Sequence, residues 1–228
     1  MEKLSSLKSR RSQETMNKRA LKEFAVYARN ELRNQIALRA QAFGITPEGS
    51  PVLVTGADYV EINGQKLPLS YKNGLQKLLK EIETKGYDQV IEEVAYTWFN
   101  RLIAIRYMEV HNYLPSKIRV LSSETKGKVD PDILTDYQYT DLPVDKEEIA
   151  SLLQQGKREE AYRKLLIAQC NQLHQIMDFL FEELADYTEL LLPESLLHAD
   201  SLINKLGKEL GDENFEHVEV IGWLYQYY

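Results

Sequence analysis

The sequence predicts a mainly α fold, a helical bundle with a small β-hairpin insertion, and three observations carry that prediction. Apolar residues recur at spacings of three, four and seven from Asn17 to Phe43, which is helical periodicity. A second segment, Tyr87 to Asn112, is apolar over well over half of its circumference, as the buried centre of a bundle is. Between the two, Gly and Pro punctuate residues 44–74, and Asn63-Gly64 gives the strongest short-range hairpin signal. At 228 residues, 43% of them hydrophobic, the chain is long enough to bury roughly 70% of its unfolded surface.

Taken in order, residues 1–16 precede the periodic pattern and are expected to be disordered. The first helix then buries Leu21, Phe24, Ala25, Ala28, Leu32, Ile36 and Phe43 and stops at Gly44, which tolerates the left-handed conformation a helix end favours. Val52–Thr55 and Tyr59–Ile62 read as strands of a ribbon near 50–68. Leu75–Thr84 is a short helix that ends near Gly86. In the central helix the polar residues Asn100, Arg101, Arg106 and Glu109 need partners, because an unpaired buried charge is strongly destabilising. Arg106 and Glu109 lie three apart and can pair along the helix.

Ser116 to Leu142 reads as a long irregular surface loop with a turn at Asp130-Pro131-Asp132. Asp145 and Glu148 have capping-box spacing and open a short helix that stops near Gly156. Lys157–Ala185 follows as a long helix with Tyr162, Leu165, Leu166, Leu173, Ile176, Met177 and Leu180 on one side. Pro193–Leu210 and Glu213 to the terminus are two further helical pieces. Residues 17–228 are thus expected to form a single helical domain.

Charge is unevenly placed along this chain. Residues 1–40 hold ten Lys or Arg against four Glu, residues 41–129 hold eleven against ten, and residues 130–228 hold seven against twenty-one. The first helix therefore suits a polyanion, and the last hundred residues repel one. Lys18, Lys22, Arg29 and Arg33, spaced by four, seven and four, fall on one narrow flank of that helix. They are the candidates for DNA-phosphate contact, against the plainer reading of a solvated basic face. At the other end, Trp223, Tyr225, Tyr227 and Tyr228 crowd four aromatic rings into six residues. Such rings need a surface to cover.

No catalytic constellation is visible. The glycine spacings fit neither a Walker nor a dinucleotide loop, and there is no G-x-S-x-G or H-E-x-x-H. Cys170 and His174, four apart on one helix, sit beside an apolar stripe and read as core. Asp130, Asp132 and Asp136 lack the Gly and Glu of a calcium hand and read as a solvated turn. The adjacent pairs Glu92-Glu93, Glu147-Glu148, Glu159-Glu160 and Glu182-Glu183 read as solvated faces. A single cysteine excludes an intrachain disulfide, and no apolar run approaches the roughly 20 residues of a membrane span. The basic N-terminus lacks the apolar stretch of a secretory signal, so a cytoplasmic location is expected.

Several blocks add a resemblance. Asn17–Ala25 (NKRALKEFA), Gly86–Arg101 (GYDQVIEEVAYTWFNR), Ile105–Val110 (IRYMEV), Pro131–Leu134 (PDIL), Asp186–Pro193 (DYTELLLP) and Val220–Tyr228 (VIGWLYQYY) occur in this order. The chain in these blocks resembles the N-terminal region of the PglX family, the adenine-specific DNA methyltransferases of bacterial BREX phage-defence systems, and some blocks also look like fused restriction and modification enzymes. The resemblance implies that S-adenosylmethionine is the cofactor of the full-length family, bound in a Rossmann-like domain with an Asn-Pro-Pro-Tyr motif. This chain has no Asn-Pro dipeptide. It is therefore expected to be a fragment or a naturally shortened product without the catalytic domain, carrying no catalytic, cofactor-binding or metal-binding residues. The function implied is that of an accessory domain that helps to position DNA or the catalytic domain. The alternative is a protein–protein module that docks other phage-defence proteins through its acidic residues 130–228 and does not bind DNA. The implied partners are double-stranded DNA, held weakly and without sequence preference, the C-terminal methyltransferase domain, and other defence proteins. Tyr225, Tyr227 and Tyr228 are candidates for the seam with the catalytic domain, or for a symmetric contact with a second copy of the chain.

Overall fold

In the computed structural model of the chain, residues 2–176, 181 and 186–228 are described, with side chains from Lys18 onward and only the backbone of Asp186. Helix α1 spans Glu2–Ala42. Its buried stripe, Leu21, Phe24, Ala25, Ala28, Leu32, Ile36 and Ala40, is the one the spacing indicates. The helix ends in a Schellman motif, in which the Ile45 N–H bonds the Ala40 carbonyl at 3.1 Å and the Gly44 N–H bonds that of Gln41 at 2.8 Å. Gly44 adopts φ +76°, and a Cβ there would lie 2.6 Å from the Asn63 side chain. Helix end and hairpin turn therefore touch where only glycine fits.

The insert is a three-stranded antiparallel sheet of β1 (Val54–Thr55), β2 (Tyr59–Ile62) and β3 (Gln65–Pro68) in the order β1-β2-β3. Ile62 pairs with Gln65, which leaves Asn63 and Gly64 as a two-residue turn with φ of 51° and 74°, the positive pair of a type I′ hairpin. Val60 and Ile62 face the core. The first strand is shorter than expected, since Val52 is solvent-exposed and unpaired in the sheet.

Helices α2 (Lys72–Lys85) and α3 (Tyr87–Val110) meet at Gly86. The second is the centre of the molecule: Val90, Ile91, Val94, Ala95, Trp98, Phe99, Leu102, Ile103, Ala104 and Ile105 are all buried. Trp98 is fully enclosed and its indole N–H donates to the Thr188 carbonyl at 3.0 Å. Both α1 and α9 (Glu219–Tyr227) pack against α3.

Residues 116–142 are not the surface loop the composition suggests. Val120, Leu121, Ile133, Leu134, Tyr137 and Leu142 are buried, and helix α4 (Ile133–Asp136) lies within the segment. The reason is Glu109. One oxygen of its buried carboxylate accepts from the Val120 and Leu121 N–H groups at 2.9 Å each. The other accepts from Arg106 at 2.7 Å and the Ser122 hydroxyl at 2.8 Å. Arg106 and Arg119 then share the Asp212 carboxylate, at 2.6 and 2.8 Å. A pair expected to act along the helix thus also recruits a loop and a distant C-terminal segment. Asn100 stays outside it, with its Oδ1 buried and without a hydrogen-bond partner among the described residues. Arg101 is buried with its guanidinium 5.4 Å from the Trp98 ring.

Helix α5 (Lys146–Gln154) starts as the capping signal indicates, with the Asp145 carboxylate accepting from the N–H groups of Glu147 and Glu148. Helix α6 (Arg158–His174) stops well short of Ala185. Ile176, placed on the buried side by periodicity, is 63% exposed, and Met177 and Leu180 lie outside the described residues. After helix α7 (Asp186–Leu190), the piece Pro193–Leu210 expected to be helical is irregular over residues 193–201, and only its part Leu202–Glu209 (α8) is helical. Two side chains of α6 hold that stretch open. Glu159, read as solvated, accepts from the Leu196 and Leu197 N–H groups at 2.8 and 3.0 Å. Arg163 donates to the carbonyls of Glu189, Leu192 and Pro193, and burial pulls its pKa down to about 10. Backbone groups bonded to side chains are not free for a helix.

Candidate nucleic-acid and domain interface

The two sets of site residues that the sequence leaves at opposite ends of the chain meet in one surface strip. Helix α9 lies along the flank of α1 that carries Lys18, Lys22, Arg29 and Arg33, and α3 closes the strip from below with Glu92, Tyr96 and Phe99. The Lys18 ammonium sits 4.6 Å from the Trp223 ring centroid. The Tyr228 ring packs 4.5 Å from Phe99 and 5.2 Å from Tyr96, with the Arg29 guanidinium 5.7 Å from its centroid. Half-buried rings under cations stiffen such a surface while leaving the cationic heads at the solvent.

The charge of the strip is smaller than four free cations. Arg29 Nε lies 2.8 Å from one oxygen of Glu92, and Arg33 Nε lies 2.9 Å from the other. Lys22 is exposed and makes no ion pair among the described residues. The strip therefore offers Lys18 and Lys22 directly and Arg29 and Arg33 only in exchange for Glu92. Both arginines remain partly exposed, at 44% and 40% of their side chains, so that exchange is open to a phosphate.

Tyr225, Tyr227 and Tyr228 are all half-buried against the core. Tyr225 and Tyr228 differ from Tyr227 in one respect: their hydroxyls are buried and have no hydrogen-bond partner among the described residues. Burial pushes the Tyr225 phenol up to about 12 and raises that of Tyr228 further, with Glu92 adding to the latter shift. Glu92, Tyr96 and Phe99 are site residues that sequence reasoning missed. Their signal was the spacing of four and three on α3, which puts all three on one face; the pairing of Glu92 with Glu93 in sequence hid it.

The other candidates fall into the structure as packing. Burial pushes the Cys170 thiol up to about 12, and the His174 ring is turned to the Phe181 carbonyl. Asp130 pairs with Arg158, and Asp132 pairs with Lys128 at 2.9 Å, so the acidic turn is held by cations of this chain. Among the described residues no cluster of three His, Cys, Asp or Glu could hold a metal ion, and no helix is long and apolar enough to cross a membrane. The described residues do not fit a Rossmann-type S-adenosylmethionine site: the only sheet among them is three short antiparallel strands, without a glycine loop running from a parallel strand into a helix.

No family model matches the chain. Comparison with curated proteins finds an adenine-specific methyltransferase BrxX of Escherichia coli O9:H4 (strain HS), 37% identical over 93% of this chain. It also finds an adenine-specific methyltransferase PglX of Lacticaseibacillus casei (strain Zhang), 36% identical over 93% of this chain. The chain spans about a fifth of the length of these relatives, 18% and 20% respectively. Along nearly all of its length, then, the chain is homologous to a part of the BrxX and PglX methyltransferases, which bears out the resemblance read from its blocks.

Proposed function

We propose, from that kinship, that this chain is the N-terminal accessory domain of an S-adenosylmethionine-dependent DNA adenine-N6 methyltransferase in a BREX phage-defence system. It positions DNA or the catalytic domain and does no chemistry of its own. The observation that carries this reading is the α1–α3–α9 strip, where exposed lysines and exchangeable arginines line one edge and half-buried rings the other. A flank of Lys and Arg without the Asn, Gln and Arg mixture of a reading helix touches phosphates and leaves base edges unread.

The test is fluorescence anisotropy of a labelled duplex against the chain across a salt series. Weak, sequence-independent binding is expected, with a slope of log K against log salt between about −1.8 and −3.6, the values for two and for four phosphates. No binding at low salt overturns the DNA arm and transfers the function to docking of defence proteins on the acidic residues 130–228. The hydroxyls of Tyr225 and Tyr228, buried without a partner among the described residues, favour a second role for the strip, as the seam to the catalytic domain, because buried phenols normally find a partner.

A further inference from the structure

On the other flank of the molecule, the loop 122–129 and helix α8 enclose a cavity of about 470 Å³. Its shape follows from Asp132. Burial works against the ionised form of this carboxylate, but bonds from the Ser123 hydroxyl (2.6 Å), Lys128 (2.9 Å) and the Glu124 N–H (2.8 Å) outweigh it and hold its pKa low. Thus gathered, the loop turns through Thr125–Lys128, closed by the Lys128 N–H on the Thr125 carbonyl at 3.0 Å. Gly127 takes φ +85° at the third position of that turn, where a side chain is disfavoured. The N–H groups of Lys126 and Gly127 meet no acceptor among the described residues.

The walls are cationic. Arg106, Arg119, Lys126, Lys128 and Lys208 line the cavity together with two carboxylates, Glu124 and Asp212. Glu109 and Asp132 answer Arg106 and Lys128 from behind the wall, and Asp212 answers both arginines. Glu124 stands 3.8 Å from Arg119 and is mostly exposed. Lys126 and Lys208 have no carboxylate partner among the described residues; Lys208 reaches only the Ala199 carbonyl at 3.3 Å. On the floor, Arg106 is 2% exposed, and the Nε atoms of Arg106 and Arg119 are buried without hydrogen-bond partners among the described residues. Among the described residues no aromatic ring lines the cavity.

We propose that this cavity binds the oligophosphate group of a small molecule, held by Lys126 and Lys208 at its mouth and by the Lys126–Gly127 N–H groups on one side. Paired ammonium groups, free turn N–H groups and hydroxyls are the donor set that phosphate oxygens require. The volume exceeds that of a single orthophosphate and lies within the range of small-ligand sites. The absence of rings in the wall means that the phosphates, and not a base, are recognised. Duplex backbone is the less suited source, since a hollow behind a folded-over loop does not conform to a rod about 20 Å wide.

Calorimetry of the chain with inorganic pyrophosphate tests this. Saturable one-to-one binding is expected, at least tenfold weaker in a Lys126→Ala/Lys208→Ala double variant whose melting temperature without ligand is unchanged, and unaltered in a Lys18→Ala/Lys22→Ala variant. Absence of saturable binding, or equal binding by the Lys126/Lys208 variant, overturns the proposal. A pocket variant that loses duplex binding while neither protein binds pyrophosphate also overturns it and assigns the cavity to nucleic-acid backbone.

Discussion

Twice among the described residues two arginines share one carboxylate, and the two instances behave as different devices. Arg106 and Arg119 grip Asp212 over a floor that includes buried Glu109, whereas Arg29 and Arg33 grip Glu92 at a surface where both arginine side chains are more than a third exposed. In the first, the two arginine side chains are only 2% and 14% exposed, so a lost partner leaves a charge stranded away from water and the arrangement fixes structure. In the second, water and salt compete with the carboxylate, so the arrangement contributes little to folding and can be traded for another anion. Chemistry alone does not separate a scaffold from a site; solvent access does.

The largest effect is expected at the buried member. Glu109→Ala removes the acceptor for Arg106, Ser122 and two backbone N–H groups and should destabilise the chain by about 3–5 kcal/mol, read by urea denaturation. If the loss is under about 1 kcal/mol, the buried cluster is no scaffold and the contrast fails. Asp212→Asn keeps the shape but not the charge and should cost about 1–2 kcal/mol, since the carboxylate is half exposed and its bonds are screened.

Acid gives a related test. Bonds from Arg119, and the nearby charge of Arg106, hold the Asp212 carboxyl below the usual range, and Asp132 is also held low. In the unfolded chain both titrate near ~3.9. The stability they contribute is therefore complete above that pH and is lost as pH falls through the lower folded values. Asp212→Asn should flatten the acid limb of a plot of stability against pH, which thermal melts across that range would record.

At the surface, Glu92→Gln should change stability by less than about 1 kcal/mol and yet steepen the salt slope of DNA binding towards about −3.6, because it releases two arginines. An unchanged slope would mean that the arginines do not meet phosphate. The smallest effect on stability is expected for Tyr225→Phe with Tyr228→Phe, neutral or stabilising by up to about 1 kcal/mol in this chain, since each hydroxyl is buried without a partner among the described residues. In a longer chain with the catalytic domain the same pair should impair domain docking or methylation, and unchanged docking and methylation there would remove the seam.

Sequence reasoning reached the parts of the fold that local pattern determines. The stripe of α1, the Asn63-Gly64 turn, the apolar α3 and the Asp145 cap are each encoded within a few residues of where they act. It failed where one side chain organises backbone far away. Nothing near Val120 announces that Glu109 will bury it, and nothing near Leu196 announces Glu159. The strip shows the same limit: the basic flank and the terminal rings were legible singly, but their meeting over Glu92, Tyr96 and Phe99 depends on how α1, α3 and α9 pack.

The chain has two tryptophans, and they stand at the two ends of this contrast. Trp98 is sealed in the core with its indole tied to Thr188, ninety residues away in sequence, while Trp223 is half-buried under the Lys18 ammonium. An indole shut away from water emits at shorter wavelength and is shielded from dissolved quenchers. Iodide should therefore reach Trp223 before Trp98, so that a phosphate held at Lys18 shields one emitter from iodide while unfolding shifts the colour of the other. The molecule carries its own two-channel optical readout, one channel for occupancy and one for integrity, with no label attached.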